Sequence, residues 1–228
     1  GLGHDLRLET AGTTRIEGAV RTARLETDAA GELELAADVE VSDGFGFGES
    51  SALLVGDTVL RDTSTDGTVL LLAFDGGHAL ELDAAGDLDL RGEIGSTTRL
   101  ASFTARTPGV LILRMDAIRT TGDIRLNPDG RSSVPTAATI AVPDGGIRFD
   151  STGGDFAMGL REKLTVLGAL DIVLGGALSQ AILSDITSLG DMTVVAAQIL
   201  LQLREAGFLL DQFGLLSDEP DNGLDFVT

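Results

Sequence analysis

Apolar and polar residues alternate along most of this chain in short runs that begin and end at turn residues. In "GDIRL" at 122–126, Ile124 and Leu126 flank Arg125, and the same alternation occurs in "GDLDL" at 86–90. An alternation with a period of two places one set of side chains against a core and the other set in water, which is typical of β-strands. The pattern therefore predicts an all-β protein.

The alternating runs recur at a nearly constant spacing. Four of them open on a glycine and follow one another at steps of 23, 23 and 22 residues: Gly122, Gly145, Gly168 and Gly190. The run at Gly86 also has a counterpart 23 residues further on, at Gly109. The step from Gly109 to Gly122 is only 13 residues, which predicts a shortened or bulged turn at that point.

A unit of 22–23 residues with three short strands has the length of one circuit, or rung, of a parallel β-solenoid. Successive rungs hydrogen-bond at a spacing of about 4.8 Å, and stacked aliphatic side chains fill the interior. Like residues should then lie in files, and the spacing predicts these: Ile124, Ile147 and Leu170; Ile140, Leu164 and a position near Ile186; Phe156, Leu178 and Leu201. An antiparallel β-sandwich also has short strands and many turns, but it does not require one phrase to recur every 23 residues. We therefore expect the solenoid.

One phrase occurs almost unchanged at two places. "DAAGELEL" at 28–35 returns as "DAAGDLDL" at 83–90. Glycine accepts a positive φ at low cost, and aspartate hydrogen-bonds to the backbone of tight turns. We interpret "DAAG" as a corner of the coil and the four residues after it as the wall that follows.

The recurrence predicts a single solenoid domain over residues 1–228. Its rungs are expected to be less regular over 1–60 and regular over 61–196. Over 197–228, apolar residues fall at both strand and helix spacing, which favours an irregular or partly helical cap or tail. The chain starts at a glycine without a signal-type segment, so we expect a mature fragment or a part of a longer protein.

The composition restricts the classes of partner. The chain has 36 acidic residues against 16 Lys and Arg, and a formal net charge of −20. Nucleic-acid binding requires clustered cations that neutralise phosphates, so we expect no nucleic-acid partner. The longest apolar stretch, 164–183, is interrupted by Asp171, and we predict no membrane span. With no cysteine in the chain, disulfides and thiolate metal sites are excluded.

Several of these runs resemble a known family. "IRTTGDIRLNPDGR" (118–131), "MGLREKLTVLGALDI" (158–172), "SLGDMTV" (188–194) and "TTRIEG" (13–18) are similar to the repeat regions of large bacterial exoproteins of the filamentous-haemagglutinin type. The resemblance extends over most of residues 10–200. It implies a right-handed parallel β-helix, a secreted or cell-surface location, and an adhesive or structural role as a rod, spacer or fibre-forming unit. It brings no shared catalytic residues.

The sequence contains no recognisable reactive set. His4 and His78 have no His or Cys near them in the chain, so each is interpreted as a surface residue rather than a metal ligand. No G-x-S-x-G nucleophile turn occurs. We predict no catalytic, cofactor-binding or metal-ligating residues, no cofactor and no enzymatic activity.

Two other functions stay open as alternatives. A polysaccharide lyase or hydrolase would need facing carboxylates, for which Glu81, Asp89 and Asp171 are the outward candidates, although the chain has no Trp or Tyr to bind a sugar. A calcium-dependent surface module would use the carboxylates and carbonyls of glycine turns, as in "DSTGGDF" at 150–156 and "DAAGDLD" at 83–89.

The repeat spacing also predicts a short file of charges. Arg125 and Arg148 should lie one rung apart on one wall, with Asp171 next. We interpret this file as a mutually screened face, with a patch for acidic glycans as the alternative. The expected partners are another copy of the chain, end to end, and a cell-surface glycan or protein.

Overall fold

A computed structural model of the chain describes residues 3–127, 140–159, 163–180, 185–201 and 224–227. These residues form only strands and turns, and no helix that could cross a membrane occurs among them. The strands are β1 Leu6–Leu8, β2 Thr13–Ile16, β3 Val20–Thr22, β4 Leu25–Thr27, β5 Glu32–Leu35, β6 Val39–Val41, β7 Phe45–Gly46, β8 Ser51–Leu54, β9 Thr58–Asp62, β10 Thr68–Leu70, β11 Ala73–Asp75, β12 Ala79–Ala84, β13 Leu88–Leu90, β14 Ser102–Arg106, β15 Leu111–Leu113, β16 Ala117–Thr120, β17 Ile124–Leu126, β18 Ile140–Val142, β19 Ile147–Ser151, β20 Phe156–Met158, β21 Lys163–Val166, β22 Leu170–Gln180, β23 Asp185–Ser188, β24 Met192–Leu201 and β25 Leu224–Val227.

The described strands pair only in parallel, and they form the three walls of a β-solenoid of about eight turns. The first wall contains the sheets β1-β4-β7 and β10-β13-β15-β18-β21-β23. The second wall contains β2, β5, β8 and β11, followed by β16, β19, the first half of β22, the first half of β24, and β25. The third wall runs from β3 through β6, β9, β12, β14, β17 and β20 to the second halves of β22 and β24. The predicted parallel solenoid with three strands per rung is confirmed.

The length of a circuit changes along the chain. Near the start, Leu6 lies opposite Leu25, 19 residues further on, and in the middle Leu82 lies opposite Ala105, a step of 23. The circuit that follows β17 is longer, because it includes residues 128–139, which lie outside the described residues. Later circuits return to 22 residues.

Several predicted files are present. Ile147 lies opposite Leu170, and Leu170 opposite Met192. Two further files agree with the prediction: Ile140, Leu164 and Ile186; Leu88 and Leu111. In the Phe156 file, Phe156 does lie opposite Leu178. The predicted third member was wrong by two residues, because Leu178 lies opposite Ile199 rather than Leu201.

The predicted position of Ile124 was wrong. Ile124 lies between Phe103 and Phe156 on the third wall, whereas Ile147 belongs to the second wall. The 13-residue step before it is therefore a passage from β15 on the first wall to β17 on the third, and not a shortened turn. All three walls have the same alternation of apolar and polar residues, so the phrase "GDIRL" does not reveal which wall it occupies.

The repeated phrase "DAAG" serves two different corners. At 28–31 it joins the first wall to the second, and at 83–86 it joins the third wall to the first. Gly31 has a φ of +94°, and a Cβ there would lie 1.8 Å from the carbonyl oxygen of Gly12. A Cβ on Gly86 would lie 2.7 Å from the backbone of Gly67. Both glycines are required because neighbouring rungs approach closely at these corners.

A continuous apolar core fills the space between the walls. Four phenylalanines are fully buried: Phe74, Phe103, Phe149 and Phe156. The rings of Phe149 and Phe156 lie 4.8 Å apart between centroids, across the core from the second wall to the third. At the C-terminal end, β24 and β25 are strands, while residues 202–223, where a cap or partly helical segment was expected, lie outside the described residues.

Truncation of a core leucine should destabilise the solenoid far more than the same change on its surface. Leu82 is fully buried and Leu53 is 44% exposed. We expect Leu82→Ala to lower the free energy of unfolding by about 2–5 kcal/mol and Leu53→Ala by less than about 0.5 kcal/mol, as measured by urea denaturation. Equal losses in the two variants would contradict the assignment of inner and outer faces.

Candidate functional site: the outer charge files

The outer face of the third wall carries a file of alternating charge. Its members lie opposite one another on successive rungs, from β3 to β14: Arg21, Glu40, Arg61, Asp83 and Arg106. The Nε atom of Arg61 lies 3.0 Å from Oδ2 of Asp83, and Arg21 lies 3.6 Å from Glu40. Arg106 also forms an ion pair with Glu81. Each exposed pair contributes less than about 1 kcal/mol, so the file mainly favours one alignment of the rungs over others.

The other two walls begin with the same arrangement. Arg7 lies opposite Glu26 on the first wall, and Arg15 lies opposite Glu34 on the second, with 3.2 Å between Nη1 and Oε2. The first rung thus places an arginine on each outer face, and the second rung places a glutamate above each arginine. Directly opposed like charges destabilise neighbouring strands, so this order stabilises the observed register.

Aspartates at the corner before the third wall connect one rung to the next. The Oδ1 atom of Asp57 accepts a hydrogen bond from the backbone N–H of Ala79 at 2.9 Å, 22 residues further on. The same contact is made by Asp38 to Val59, by Asp123 to Asp155 and by Asp155 to Ala177. Sequence reasoning missed this role, because it treated corner aspartates as local turn formers. The signal that could have revealed it is an aspartate just before each third-wall strand.

The glycine turns considered for calcium have carboxylates that already bind protein groups. In 150–156, Asp150 forms an ion pair with Arg99, and Asp155 accepts the N–H of Ala177. In 83–89, Asp87 accepts the N–H of Val110 at 2.8 Å. Among the described residues, no group of three or more acidic or histidine side chains is placed to hold a metal ion.

The three carboxylates considered for hydrolysis lie on three different walls. Asp89 faces outward from the first wall, Asp171 from the second and Glu81 from the third. Asp89 is only 8% exposed, because Arg91 and Arg114 cover it, with its Oδ atoms 2.8 Å and 3.2 Å from their guanidinium nitrogens. The fold therefore does not bring these acids together.

Arg114 joins two acids at the edge of the first wall. Its Nη1 atom lies 2.6 Å from Oδ2 of Asp144, and its Nε atom bonds to Asp89. The hydrogen bond to Asp144 raises the pKa of the Arg114 guanidinium, and the hydrogen bond to Asp89 raises the pKa of Arg91. The four side chains form a cluster with two positive and two negative charges.

The two histidines are far apart in the fold. His4 lies in the first rung, and its carbonyl oxygen accepts the N–H of Ala23. His78 lies at the corner before β12, with Nδ1 3.6 Å from Oδ1 of Asp57. The structure thus separates the imidazoles and places one of them beside a corner aspartate.

The predicted file of two arginines was wrong. Arg148 does lie opposite Asp171, but Arg125 lies on the third wall, between Thr104 and Ala157. The error has the same origin as that for Ile124, since "GDIRL" was assigned to the wrong wall. No stacked pair of cations forms from these two residues.

A long-range ion pair connects rungs that flank the extended circuit. The two Nη atoms of Arg99 lie 2.9 and 3.0 Å from the two Oδ atoms of Asp150, which is 51 residues away in the chain. Arg99 Nη1 also donates to the carbonyl oxygens of Thr120 and Asp150. The hydrogen bonds from Arg99 lower the pKa of Asp150 below its usual value of 3.8. No repeat spacing predicts a separation of 51, so the sequence gave no sign of this pair.

A shallow groove lies beside the charge file at the N-terminal end of the third wall. Its volume is about 130 Å³, and it is lined by Ala19, Val20, Arg21, Asp38, Val39, Glu40, Val59 and Arg61. Ligand pockets of drug-sized molecules measure about 300–1,000 Å³. A ligand would therefore lie across this groove rather than inside it.

Comparison of the chain with protein-family models, with curated proteins and with solved structures finds no match in any of the three.

The Arg99–Asp150 pair should make stability depend on acid pH. Because the folded-state pKa of Asp150 is lowered, its contribution is complete above the unfolded-state pKa and is lost as the pH falls through the folded value. Arg99→Gln leaves a mostly buried carboxylate without its cation, and we expect a loss of about 2–3 kcal/mol at pH 7. The loss should shrink below about pH 4, in urea denaturation curves recorded over a pH series.

A matched control removes an exposed ion pair. Arg7 and Glu9 lie 2.7 Å apart, and both side chains are largely exposed. We expect Arg7→Gln to change stability by less than about 1 kcal/mol at every pH. If the effect of Arg99→Gln were independent of pH, the link to the ionisation of Asp150 would be wrong.

Proposed function

We propose that this chain is a non-catalytic, structural and adhesive segment of a secreted or cell-surface bacterial exoprotein, in which it acts as a rigid rod, spacer or fibre-forming unit. The observation that carries the proposal is the parallel backbone ladder of the third wall, which links β3 to β20 and continues into β22. Such a ladder resists bending and leaves few unpaired backbone groups along the side of the rod. The arrangement suits a mechanical role.

Export is supported by the sequence alone. The runs at 118–131, 158–172 and 188–194 resemble repeats of filamentous-haemagglutinin-like exoproteins. The chain has no cysteine, so its stability rests on packing and backbone ladders and does not depend on the redox state of the surroundings. The negative net charge keeps such rods apart in solution.

The ends of the solenoid are where such a rod would lengthen. Each rung adds only about 4.8 Å, so about eight turns span roughly 40 Å. In the first rung, β1, β2 and β3 each pair with a neighbour on one side only among the described strands. The inner residues Leu6, Leu8 and Val20 are only partly buried there, whereas Leu25 and Val39, one rung further, are fully buried. A further parallel rung on this edge would complete their burial.

We take the partner at this edge to be a second copy of the chain, end to end. The outer positions of the first rung carry Arg7, Arg15 and Arg21. A rung with acidic or neutral residues opposite them would continue the alternation of the charge files, and the chain has more than twice as many acidic as basic residues. The shallow groove and the outer faces remain available for a cell-surface glycan or protein.

A proline in the first rung should block end-to-end growth. The carbonyls of Gly12 and Ile16 accept N–H groups from the second rung, so the N–H and C=O of Arg15, one residue out of phase, point to the open edge. We expect Arg15→Pro to remove a donor from that edge and to keep the particles short in negative-stain electron microscopy of concentrated samples. Wild type should form longer particles at low salt.

Arg15→Ala is the matched control, because it removes the charge but keeps the backbone donor. It should shorten the particles less than Arg15→Pro does. Elongation that is equal in wild type and Arg15→Pro, or wild type that stays as single particles at every concentration, would rule out growth from this edge.

The adhesive role is tested separately, on an array of cell-surface glycans and on intact cells. We expect chain-coated beads to bind at least one glycan class or cell type, and this binding to be reduced by Arg21→Glu and Arg61→Glu, which reverse the charge beside the groove. Bare beads and beads coated with an unrelated acidic protein serve as controls. Absence of binding above these controls would leave the rod role and remove the adhesive one.

A further inference from the structure

The outer face of the first wall differs from the rest of the surface. Over its last three described rungs, two adjacent files contain no charged residue: Ala141, Thr165 and Thr187 form one file, and Pro143, Leu167 and Leu189 form the other. We call these six residues the apolar strip. Leu167 is 51% exposed and Leu189 is 71% exposed, so two large apolar side chains stand in water one rung apart.

The register places the two files side by side. Ala141 lies opposite Thr165, and Thr165 lies opposite Thr187. Beyond the strand ends, the N–H of Leu167 donates to the carbonyl of Val142, and the N–H of Leu189 donates to that of Val166. The parallel ladder therefore continues past the strands, and the leucines stack above each other as regularly as the threonines do.

The same wall is also apolar further towards the N-terminus. Among the described residues, the exposed large apolar side chains are Val69 at 47%, Leu71 at 63%, Leu167, Leu189 and, on the second wall, Leu53 at 44%. Four of these five thus belong to the first wall or continue its strands. Between Val69 and the apolar strip lies the cluster of Asp89, Arg91, Arg114 and Asp144, whose charges compensate.

Charge decides what can cover this face. With a net charge of −20, two copies of the chain repel each other in most orientations. The apolar strip carries no carboxylate in its two files, and the neighbouring cluster is neutral as a whole. Two copies can therefore approach here without opposing like charges, and contact removes the leucines from water.

We propose that the apolar strip is a side-by-side contact with a second copy of this chain, with the two first walls packed face to face. Sheets packed in this way lie about 10 Å apart. The contact uses the same patch on both copies, which gives a two-fold dimer and not an open aggregate. This inference goes beyond the proposed end-to-end growth, because it concerns a wall and not an edge.

The size of the face predicts a weak contact. From β10 to β23, six strands at about 4.8 Å give a height of about 29 Å, and two outward files span about 10 Å. Each copy then buries about 300 Å², well below the roughly 600–1,000 Å² per partner of stable specific interfaces. Association should therefore depend on concentration, and it should matter most where copies are held close together.

Salt separates this contact from end-to-end growth. Raising the ionic strength shortens the Debye length from about 10 Å at 0.1 M to about 3 Å at 1 M. This screens the repulsion between acidic copies, so the side-by-side dimer should become stronger. End-to-end contacts that use the arginines of the first rung should become weaker under the same change.

The test is sedimentation equilibrium of the full chain over a concentration series, at low salt and at about 0.5 M salt, where the Debye length is short. We expect the mean mass to rise towards that of a dimer at high salt. Leu189→Asp and Leu167→Asp should each weaken the dimer at least tenfold, since each places a carboxylate on the strip. Leu53→Asp, on the second wall and similarly exposed, is the matched control and should dimerise like wild type.

Each outcome decides the matter. A wild type that stays monomeric at high salt, or a Leu53→Asp variant that loses the dimer as fully as Leu189→Asp, would overturn the proposal. So would a Leu189→Asp variant that keeps the dimer but melts at a much lower temperature than Leu53→Asp, since the strip would then be covered by the chain itself. The milder Leu189→Ser provides a second variant, with folding checked by far-UV circular dichroism.

The whole series is repeated in the Arg15→Pro background. We expect the dimer and its salt dependence to persist there. Loss of elongation with the dimer intact would leave this contact in place and concern the proposed end-to-end growth alone. Loss of the dimer in that background would show that the mass increase came from the end of the solenoid, and it would overturn the side-by-side contact.

Discussion

The backbone hydrogen bonds between successive rungs determine most other features of this molecule. Because the strands pair in parallel and nearly in register, each outward side chain meets the same position of the next rung at about 4.8 Å. Like charges in such files would repel, and the alternation of Arg21, Glu40 and Arg61 removes that repulsion. Corner aspartates such as Asp57 use the same short distance to bind the N–H of the following rung. Part of the acidity is therefore structural.

The fold could be predicted from the sequence because a solenoid needs recurrence, and recurrence is visible without coordinates. The files of Ile147 with Leu170 and of Leu164 with Ile186 follow directly from a step of 22 or 23 residues. Ile124 could not be placed, because the three walls have the same alternation and the following circuit is extended by residues 128–139. A local phrase specifies a strand and its inner face, but it does not specify its wall.

The outer surface was harder to predict than the core. The alternation correctly directed Asp89 outward, yet Arg91 and Arg114 cover it, and nothing in the spacing of strand residues indicates that arginines beyond the strand ends would bend over it. The pair of Arg99 and Asp150 depends on which rungs flank the extended circuit. In the described residues, many of the polar side chains on the walls and corners contact the next rung, which favours a role for the ends and faces of the solenoid over chemistry at a single site.

Disulfide trapping tests the central claim, the stacking of rungs in a fixed register, most directly. The chain has no cysteine of its own, and Ala79 lies opposite Ser102 on the third wall. At a Cα separation of about 4.8 Å, the pair Ala79→Cys with Ser102→Cys falls within the range for a disulfide. Thr104 lies two residues out of register and serves as the control. The account predicts near-complete bridging for Ser102→Cys and little for Thr104→Cys, by mass spectrometry of dilute oxidised samples. Equal bridging of both pairs, or none in either, would contradict it.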